Sequence, residues 1–256
     1  MAELPEPTVS PRFILDAGVY MDRLVETMAR HVGDLNVLLD AARKGTFNEI
    51  ALSPTQGQVI KSSYPTVDHS FGATERSVER CFKSLIGSFI DFLDQMITLK
   101  RVKSDGITVD REVHGGDAVV EYIEEYIASV RLQVASDRSL QNMSKVNEFP
   151  ALSTWAKECL EGLFALRRCY EHHGGVAAKA FTIHYKELLI LHNDMQIMQL
   201  PHPFEAGAKI GPQIVTRQRV VLDGTKPSLT ESETRHIAFT LQSILASEVV
   251  VALYAK

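Results

Sequence analysis

The sequence predicts an all-α fold: an antiparallel helical bundle with a small strand or loop insert before the C-terminal helix. Two observations support this prediction. Apolar residues recur at intervals of three and four through most of the 256-residue chain, which is the spacing of one helix face. One late stretch, "AKIGPQIVTRQRVVLDGTKPS", instead carries β-branched residues and an Asp-Gly turn, which favour short strands.

The chain divides into three predicted parts. Residues 1–11 contain prolines at positions 5, 7 and 11, and are expected to form a flexible arm. Residues 12–72 hold a helix from about Arg12 to Lys44, followed by an irregular segment rich in Gly, Ser, Pro and Thr. Residues 73–256 are expected to form the main helical domain.

The clearest helix follows residue 73, because its apolar residues step by four and three without a break. They are Val78, Phe82, Leu85, Phe89, Phe92, Met96 and Leu99. Another helix is predicted over about Asp117–Val134. The stretch "FPALSTWAKECLEGLFALRRCYEHH" gives the next one, with Gly174 and Gly175 as its stop.

Two further helices complete the prediction. The stretch "VAAKAFTIHYKELLILHNDMQ" is interpreted as helical. The last helix begins at Thr230, because Glu233 three residues later makes a capping box. Its apolar face carries Ala238, Leu241, Leu245, Val249 and Ala252.

Composition and charge exclude several classes of protein. A net charge of −5 argues against coating nucleic acid by bulk electrostatics, while leaving room for a local basic site. Cys81, Cys159 and Cys169 form no C-x-x-C pair, which speaks against a disulfide framework and a zinc finger. The N-terminus lacks a signal-peptide pattern, and "SILASEVVVALYA" is too short to span a bilayer. A cytoplasmic protein without a membrane segment is expected.

Two arginines, a glutamate and two histidines gather at the end of one predicted helix, in "LRRCYEHHGG". On a helical wheel, Leu152, Trp155, Leu163, Leu166 and Tyr170 face the core. Phe164, Arg168 and His172 follow at i, i+4 and i+8, on nearly the opposite side. Because a phenylalanine on a solvent face is unexpected, this second face is predicted to contact another subunit or another helix.

These residue types suit metal-free cleavage of RNA. A histidine exchanges a proton near neutral pH, and a guanidinium binds phosphate and stabilises the charge that develops on it. The alternative that these residues form an ordinary helix end without catalytic chemistry stays open. Cations near a helix C-terminus are favoured by the helix dipole, and Arg167 with Glu171 has the spacing of an ordinary i,i+4 salt bridge.

The stretch "LRRCYEHHGGVAAKAF" resembles the signature of the HEPN superfamily of helical nucleases and nucleotide-binding domains. Leu166 and Arg167 open the motif, Arg168 takes its polar position, and His172 is the motif histidine. The match continues with His173, Gly174, Gly175, Lys179 and Phe181. It covers about sixteen residues well and the rest of the chain only in its general helical character.

The resemblance implies a metal-independent endoribonuclease, acting as a toxin or in anti-phage defence, whose active site forms between two subunits. Arg167 and His172 would carry cleavage, and Arg168, His173 and Lys179 would bind RNA. RNA, a second copy of the chain and a regulatory protein would be the partners. Arg168, Tyr170 and Glu171 depart from the usual pattern, and Glu171 could neutralise Arg167.

Competing interpretations remain from the sequence alone. The same helix faces could make a non-catalytic HEPN-like oligomerisation or interaction module. A weaker alternative is a bundle that holds a small ligand or a metal. No cofactor and no metal are predicted, because Glu233 and His236 form a single Glu-x-x-His and a di-iron bundle needs two.

Overall fold

A computed structural model describes residues 16–43, 49–51, 59–61, 66–107, 109, 112–137, 139–141, 143–172, 175–189 and 213–255. Five helices precede residue 181 in this part of the chain: α1 (Ala17–Arg43), α2 (Thr66–Asp105), α3 (Gly116–Ser136), α4 (Met143–Asn147) and α5 (Thr154–His172). The strands are β1 (Glu49–Ala51), β2 (Val59–Lys61), β3 (Phe181–Leu189) and β4 (Gln213–Val221). The last helix, α6 (Glu231–Tyr254), is α-helical over Glu231–Phe239 and Ala246–Tyr254, and π-helical over Thr240–Leu245.

The protein is therefore mostly helical with small antiparallel sheets, which agrees with the predicted class. The antiparallel bundle remains a prediction. The predicted boundary between residues 72 and 73 also remains a prediction, although α2 runs through that position and α1 packs along α2.

The apolar seam predicted for α2 forms the centre of the core. Val78, Phe82, Leu85, Phe89, Phe92, Met96 and Leu99 are all buried. Leu24, Met28, Leu35 and Leu39 of α1 join the same cluster. Burial of an apolar side chain of this size stabilises the fold by about 1.5–3 kcal/mol, so this seam is a principal reason that α1 and α2 pair.

The predicted helix over "VAAKAFTIHYKELLILHNDMQ" is wrong where the structure describes it, because Phe181–Leu189 forms strand β3. Its pattern alternates, with Phe181, Ile183 and Tyr185 apolar and Thr182 and His184 between them. A period of two belongs to a strand with one face buried. Beyond Leu189, the remainder of that prediction lies outside the described residues.

Strands β3 and β4 form an antiparallel pair in the register Phe181↔Val221 to Leu189↔Gln213. The predicted strand insert before the last helix is thereby confirmed. The Asp-Gly turn that follows β4 is also present, with Gly224 at φ +70°, a conformation that favours glycine.

Helix α6 begins at the predicted capping box. Thr230 Oγ1 accepts a hydrogen bond from the Glu233 backbone N–H at 3.1 Å, and Glu233 Oε2 accepts from the Thr230 backbone N–H at 2.8 Å. In the described part of the chain, α6 alone has the length and apolar composition to cross a membrane. Core helices of soluble proteins can have the same length and apolar composition, and Ile237, Leu241 and Leu245 of α6 are fully buried.

Candidate functional site: the C-terminal half of α5 and the adjoining groove

Helix α5 carries the candidate site, and its N-terminus is fixed by a side-chain cap. Ser153 Oγ accepts a hydrogen bond from the Ala156 backbone N–H at 3.1 Å, as an N-cap residue does. The same hydroxyl donates to Glu248 Oε2 of α6 at 2.8 Å. The cap therefore ties the start of α5 to the last helix.

The middle of α5 lies unusually close to strand β3. A Cβ atom placed on Gly162 would be 2.0 Å from the Thr182 carbonyl oxygen, so only glycine fits there. Nearby, the Cys159 thiol donates to the His184 carbonyl oxygen at 3.0 Å. These two contacts show that the chain from Thr182 to His184 runs antiparallel to α5.

The C-terminus of α5 is closed by a glycine in the left-handed region. Gly175 has φ +85°, and its backbone N–H donates to the Cys169 carbonyl oxygen at 3.0 Å, which satisfies one carbonyl group of the last turn of the helix. Ala177 then pairs with the turn after β4, donating to the Thr225 carbonyl oxygen and accepting from the Gly224 N–H, both at 2.9 Å. The segment that follows the predicted end of α5 is thus joined to the turn after β4.

Tyr170, one of the departures from the HEPN pattern, serves the core. Its ring meets Phe82 of α2 edge-on at 5.8 Å between ring centroids, and its hydroxyl donates to the Pro227 carbonyl oxygen at 3.2 Å. Burial raises the pKa of the Tyr170 hydroxyl. This tyrosine therefore holds the helix end in place and stays protonated at neutral pH.

Arg167 and His172 lie at this helix end, and Glu171 contacts both of them. Arg167 Nε donates to Glu171 Oε1 at 2.7 Å, with 26 % of the arginine side chain and 30 % of the glutamate side chain exposed. His172 Nε2 lies 3.9 Å from Glu171 Oε2, and 69 % of its side chain is exposed. The imidazole is therefore open to solvent, while the guanidinium is already paired within the helix.

The second face predicted on α5 is covered only in part, because Phe164 is buried while Arg168 and His172 are exposed. Phe164 is only 2 % exposed and belongs to the core of the same chain. This cover comes from the same chain, because α5 packs on more than one side, against α2 and α4 and against β3. Within the chain, the predicted contact of this face is therefore met at Phe164 and not at Arg168 and His172, which follow it at i+4 and i+8.

Arg168 and Lys179 share a groove that runs along α5 beside the approach to β3. The groove has a volume of about 630 Å³. Its charged and titratable lining residues are Glu158, Glu161, Arg168, Cys169, Lys179 and His184. Small residues form much of the remaining wall, including Ala165, Ala178 and Ala180.

The structure thus divides the predicted site into two neighbouring groups. Arg168 and Lys179 line the groove together, whereas Arg167 and His172 lie at the helix end beside Glu171. His173 lies outside the described residues. Sequence reasoning missed Glu158, Glu161 and His184, although Glu158, Glu161 and Arg168 follow one another at intervals of three and seven along one helix face.

No group of three or more His, Cys, Asp or Glu side chains in the described part of the chain is placed to hold a metal ion. Comparison with known proteins found no matching family model, no matching curated protein and no matching solved structure.

Proposed function

We propose that this protein is a metal-independent endoribonuclease of HEPN type. The observation that carries the proposal is the exposed imidazole of His172 at the end of the helix whose Arg168 lines a cation-bearing groove with Lys179. An accessible proton carrier beside cations that can bind phosphate is the minimum needed to cleave RNA without a metal.

The proposed reaction uses the RNA's own nucleophile. His172 takes the proton of a ribose 2′-hydroxyl, and the 2′-oxygen attacks the adjacent phosphorus. The bond from phosphorus to the 5′-oxygen of the next nucleotide breaks, and that oxygen receives a proton from an acid at the site or from water. The products are a 2′,3′-cyclic phosphate and a free 5′-hydroxyl.

Arg167 is proposed to stabilise the negative charge that develops on the phosphorus oxygens. To do so it must exchange its contact with Glu171, which is partly exposed and therefore weak, for a contact with phosphate. Arg168 and Lys179, with His173 beside the motif histidine, would bind the neighbouring phosphates.

The remaining parts of the proposal follow the resemblance. A homodimer would bring two motifs into one cleft, a regulatory protein would control the activity, and the setting would be cytoplasmic toxin or anti-phage defence. Sedimentation equilibrium of the purified chain tests the homodimer, since a monomer at all concentrations would contradict a shared active site.

A second candidate function is a non-catalytic interaction module with the same helical fold. The Arg167–Glu171 ion pair favours it, because that pair commits the motif arginine to an ordinary i,i+4 contact. In this alternative the exposed helix end of α5 binds a protein, and RNA is left intact.

The deciding experiment is the digestion of mixed cellular RNA in EDTA by the wild-type protein and by His172→Ala at equal concentration. Cyclic-phosphate products from the wild type alone are the expected result. If neither protein cleaves RNA, the free-standing nuclease is wrong and the interaction module is favoured. Equal cleavage by both proteins would remove His172 from the reaction.

A further inference from the structure

The groove along α5 has opposite charges at its two ends. Because Thr182 and His184 lie beside Gly162 and Cys159, the chain runs antiparallel to α5 and places Lys179 toward Arg168. Glu158 and Glu161 lie toward the other end. Seven residues of helix separate Glu161 from Arg168, so the two ends are about 10 Å apart along the axis.

The four charged side chains of the groove are available to a ligand. Glu158, Glu161, Arg168 and Lys179 are all exposed, and none makes an ion pair with another described residue. Two helical turns keep Glu161 and Arg168 from neutralising each other. By contrast, Arg217 and Arg219 of β4 each have a glutamate partner, Glu187 and Glu233 respectively.

A ligand that fits this arrangement carries an anionic group at one end and hydrogen-bond donors at the other. Guanidinium and ammonium groups bind phosphate. Carboxylates accept hydrogen bonds from the amino groups of nucleobases. A single nucleotide, with its phosphate at Arg168 and Lys179 and its base toward Glu158 and Glu161, satisfies both ends.

We propose that this groove is a base-selective subsite for an unpaired guanine nucleotide. Among the four RNA bases, guanine alone presents an N1–H and an N2 amino group side by side, which match the two oxygens of one carboxylate. Uracil presents one N–H between two carbonyl oxygens, which the carboxylates repel. The inference rests on the proposed RNA-cleaving function and adds to it the base that the protein selects.

The acidic end also limits how RNA lies in the groove. A phosphate backbone that continued past Arg168 toward Glu161 would meet two negative charges. The groove therefore takes one splayed-out nucleotide at a time, while the rest of the strand passes along the helix end. Single-stranded RNA meets this requirement, and a base-paired stem does not.

The test is calorimetric titration of the full chain with the 5′-monophosphates of guanosine, cytidine, adenosine and uridine. We expect guanosine monophosphate to bind most tightly and uridine monophosphate most weakly. Glu161→Gln combined with Glu158→Gln should weaken the binding of guanosine monophosphate about tenfold, because a bidentate contact with the base is lost. The same change should leave uridine monophosphate binding unchanged or stronger.

Arg168→Gln should weaken the binding of all four nucleotides alike, because it removes a contact with the phosphate that they share. The matched control is Glu121→Gln combined with Glu124→Gln on the exposed side of α3, which removes two negative charges away from the groove, as the double glutamate variant does. Equal affinity of the wild type for guanosine and uridine monophosphates would overturn the subsite. So would the absence of binding at millimolar concentration, or an equal effect of the glutamate variants on all four nucleotides.

Failure of this inference is distinguishable from failure of the proposed function. A protein that cleaves RNA but binds the four nucleotides equally loses only the base selectivity. A protein that selects guanosine monophosphate but leaves RNA intact keeps the subsite and loses the nuclease.

Discussion

At the scale of single residues, Glu171 is the side chain that contacts both motif residues, Arg167 and His172. It accepts a hydrogen bond from Arg167 at 2.7 Å and lies 3.9 Å from the His172 imidazole nitrogen. A carboxylate in this position competes with a phosphate for the same guanidinium. Arg168, one residue further along, points into the groove and has no such competitor among the described residues.

Removal of the Glu171 charge is therefore expected to strengthen RNA binding. Glu171→Gln frees Arg167, and because a partly exposed ion pair is worth about 0–1 kcal/mol, RNA affinity should rise by up to about fivefold. Fluorescence anisotropy with a labelled single-stranded RNA at low salt measures this change. Glu124→Gln on α3 controls for the change in net charge.

A lower RNA affinity of Glu171→Gln would mean that Glu171 positions Arg167 for phosphate and does not compete with it. An equal gain in Glu124→Gln would mean that net charge alone is responsible. The two results point to different roles for the carboxylate, so the pair of variants separates them.

At the scale of elements, the contact between α5 and β3 builds the groove. Gly162 lets the strand approach the helix, and the Cys159 thiol and the Thr240 hydroxyl of α6 bind backbone groups of β3 at His184 and Lys186. The outer edge of β3 is covered in this way by two helices. The groove walls are consequently fixed to the same helix that carries the motif.

Gly162→Ala is expected to destabilise the protein, since its new Cβ would lie 2.0 Å from the Thr182 carbonyl oxygen. Overpacking of this kind costs about 1–3 kcal/mol. The matched control is Gly87→Ala in α2, where no atom beyond the surrounding backbone of the helix lies within 4 Å of the added Cβ. Because alanine is the better helix former, the control should gain about 0.5–1 kcal/mol. Urea unfolding followed by circular dichroism compares the two variants.

A Gly162→Ala protein as stable as the wild type would show that α5 and β3 separate at little cost. The width of the groove would then vary, and the packing of Gly162 against Thr182 would not fix the positions of the charged side chains in the groove. A loss of stability in Gly87→Ala would instead point to strain in α2 and would remove it as a control.

At the scale of the whole molecule, the three cysteines lie in one shared core, so the reactivity of their thiols measures how tightly that core is closed. Cys81 lies on α2, Cys159 and Cys169 lie on α5, and all three are free and buried. Burial raises the pKa of the Cys81 thiol to about 11 and that of the Cys159 thiol to about 12. Both thiols are therefore protonated and unreactive in the folded protein at pH 8.

No cysteine is expected to react with a thiol reagent such as Ellman's reagent at pH 8 until the protein unfolds. In guanidinium chloride all three should react. Stability should also fall as the pH rises above 9.0, the usual pKa of a thiol, because the unfolded chain loses these protons before the folded chain does. Rapid reaction of one thiol in native buffer would show that α2 or α5 opens locally.

Several elements follow directly from local patterns in the sequence. The stepping of Val78 to Leu99 predicted α2, and the spacing of Thr230 and Glu233 predicted the start of α6. The glycine pair predicted the end of α5, and the β-branched residues of β4 with the Asp-Gly turn predicted a strand. Each of these signals lies within a few residues of the structure that it predicts, so no distant contact is needed to interpret it.

The sequence by itself determined which side chains have the chemistry to bind phosphate or exchange a proton: Arg167, Arg168, His172 and Lys179. Only the tertiary structure decided how they are grouped. Burial of Phe164 against the same chain, the strand at Phe181–Leu189 and the approach of Thr182 to Gly162 all depend on contacts between distant parts of the chain. Those contacts place Lys179 with Arg168 in one groove and join Glu158 and Glu161 to it, whereas the Arg167–Glu171 pair follows from i,i+4 spacing within one helix. A helical wheel describes one helix alone, and the charge pattern of this groove exists only where a second element packs beside it.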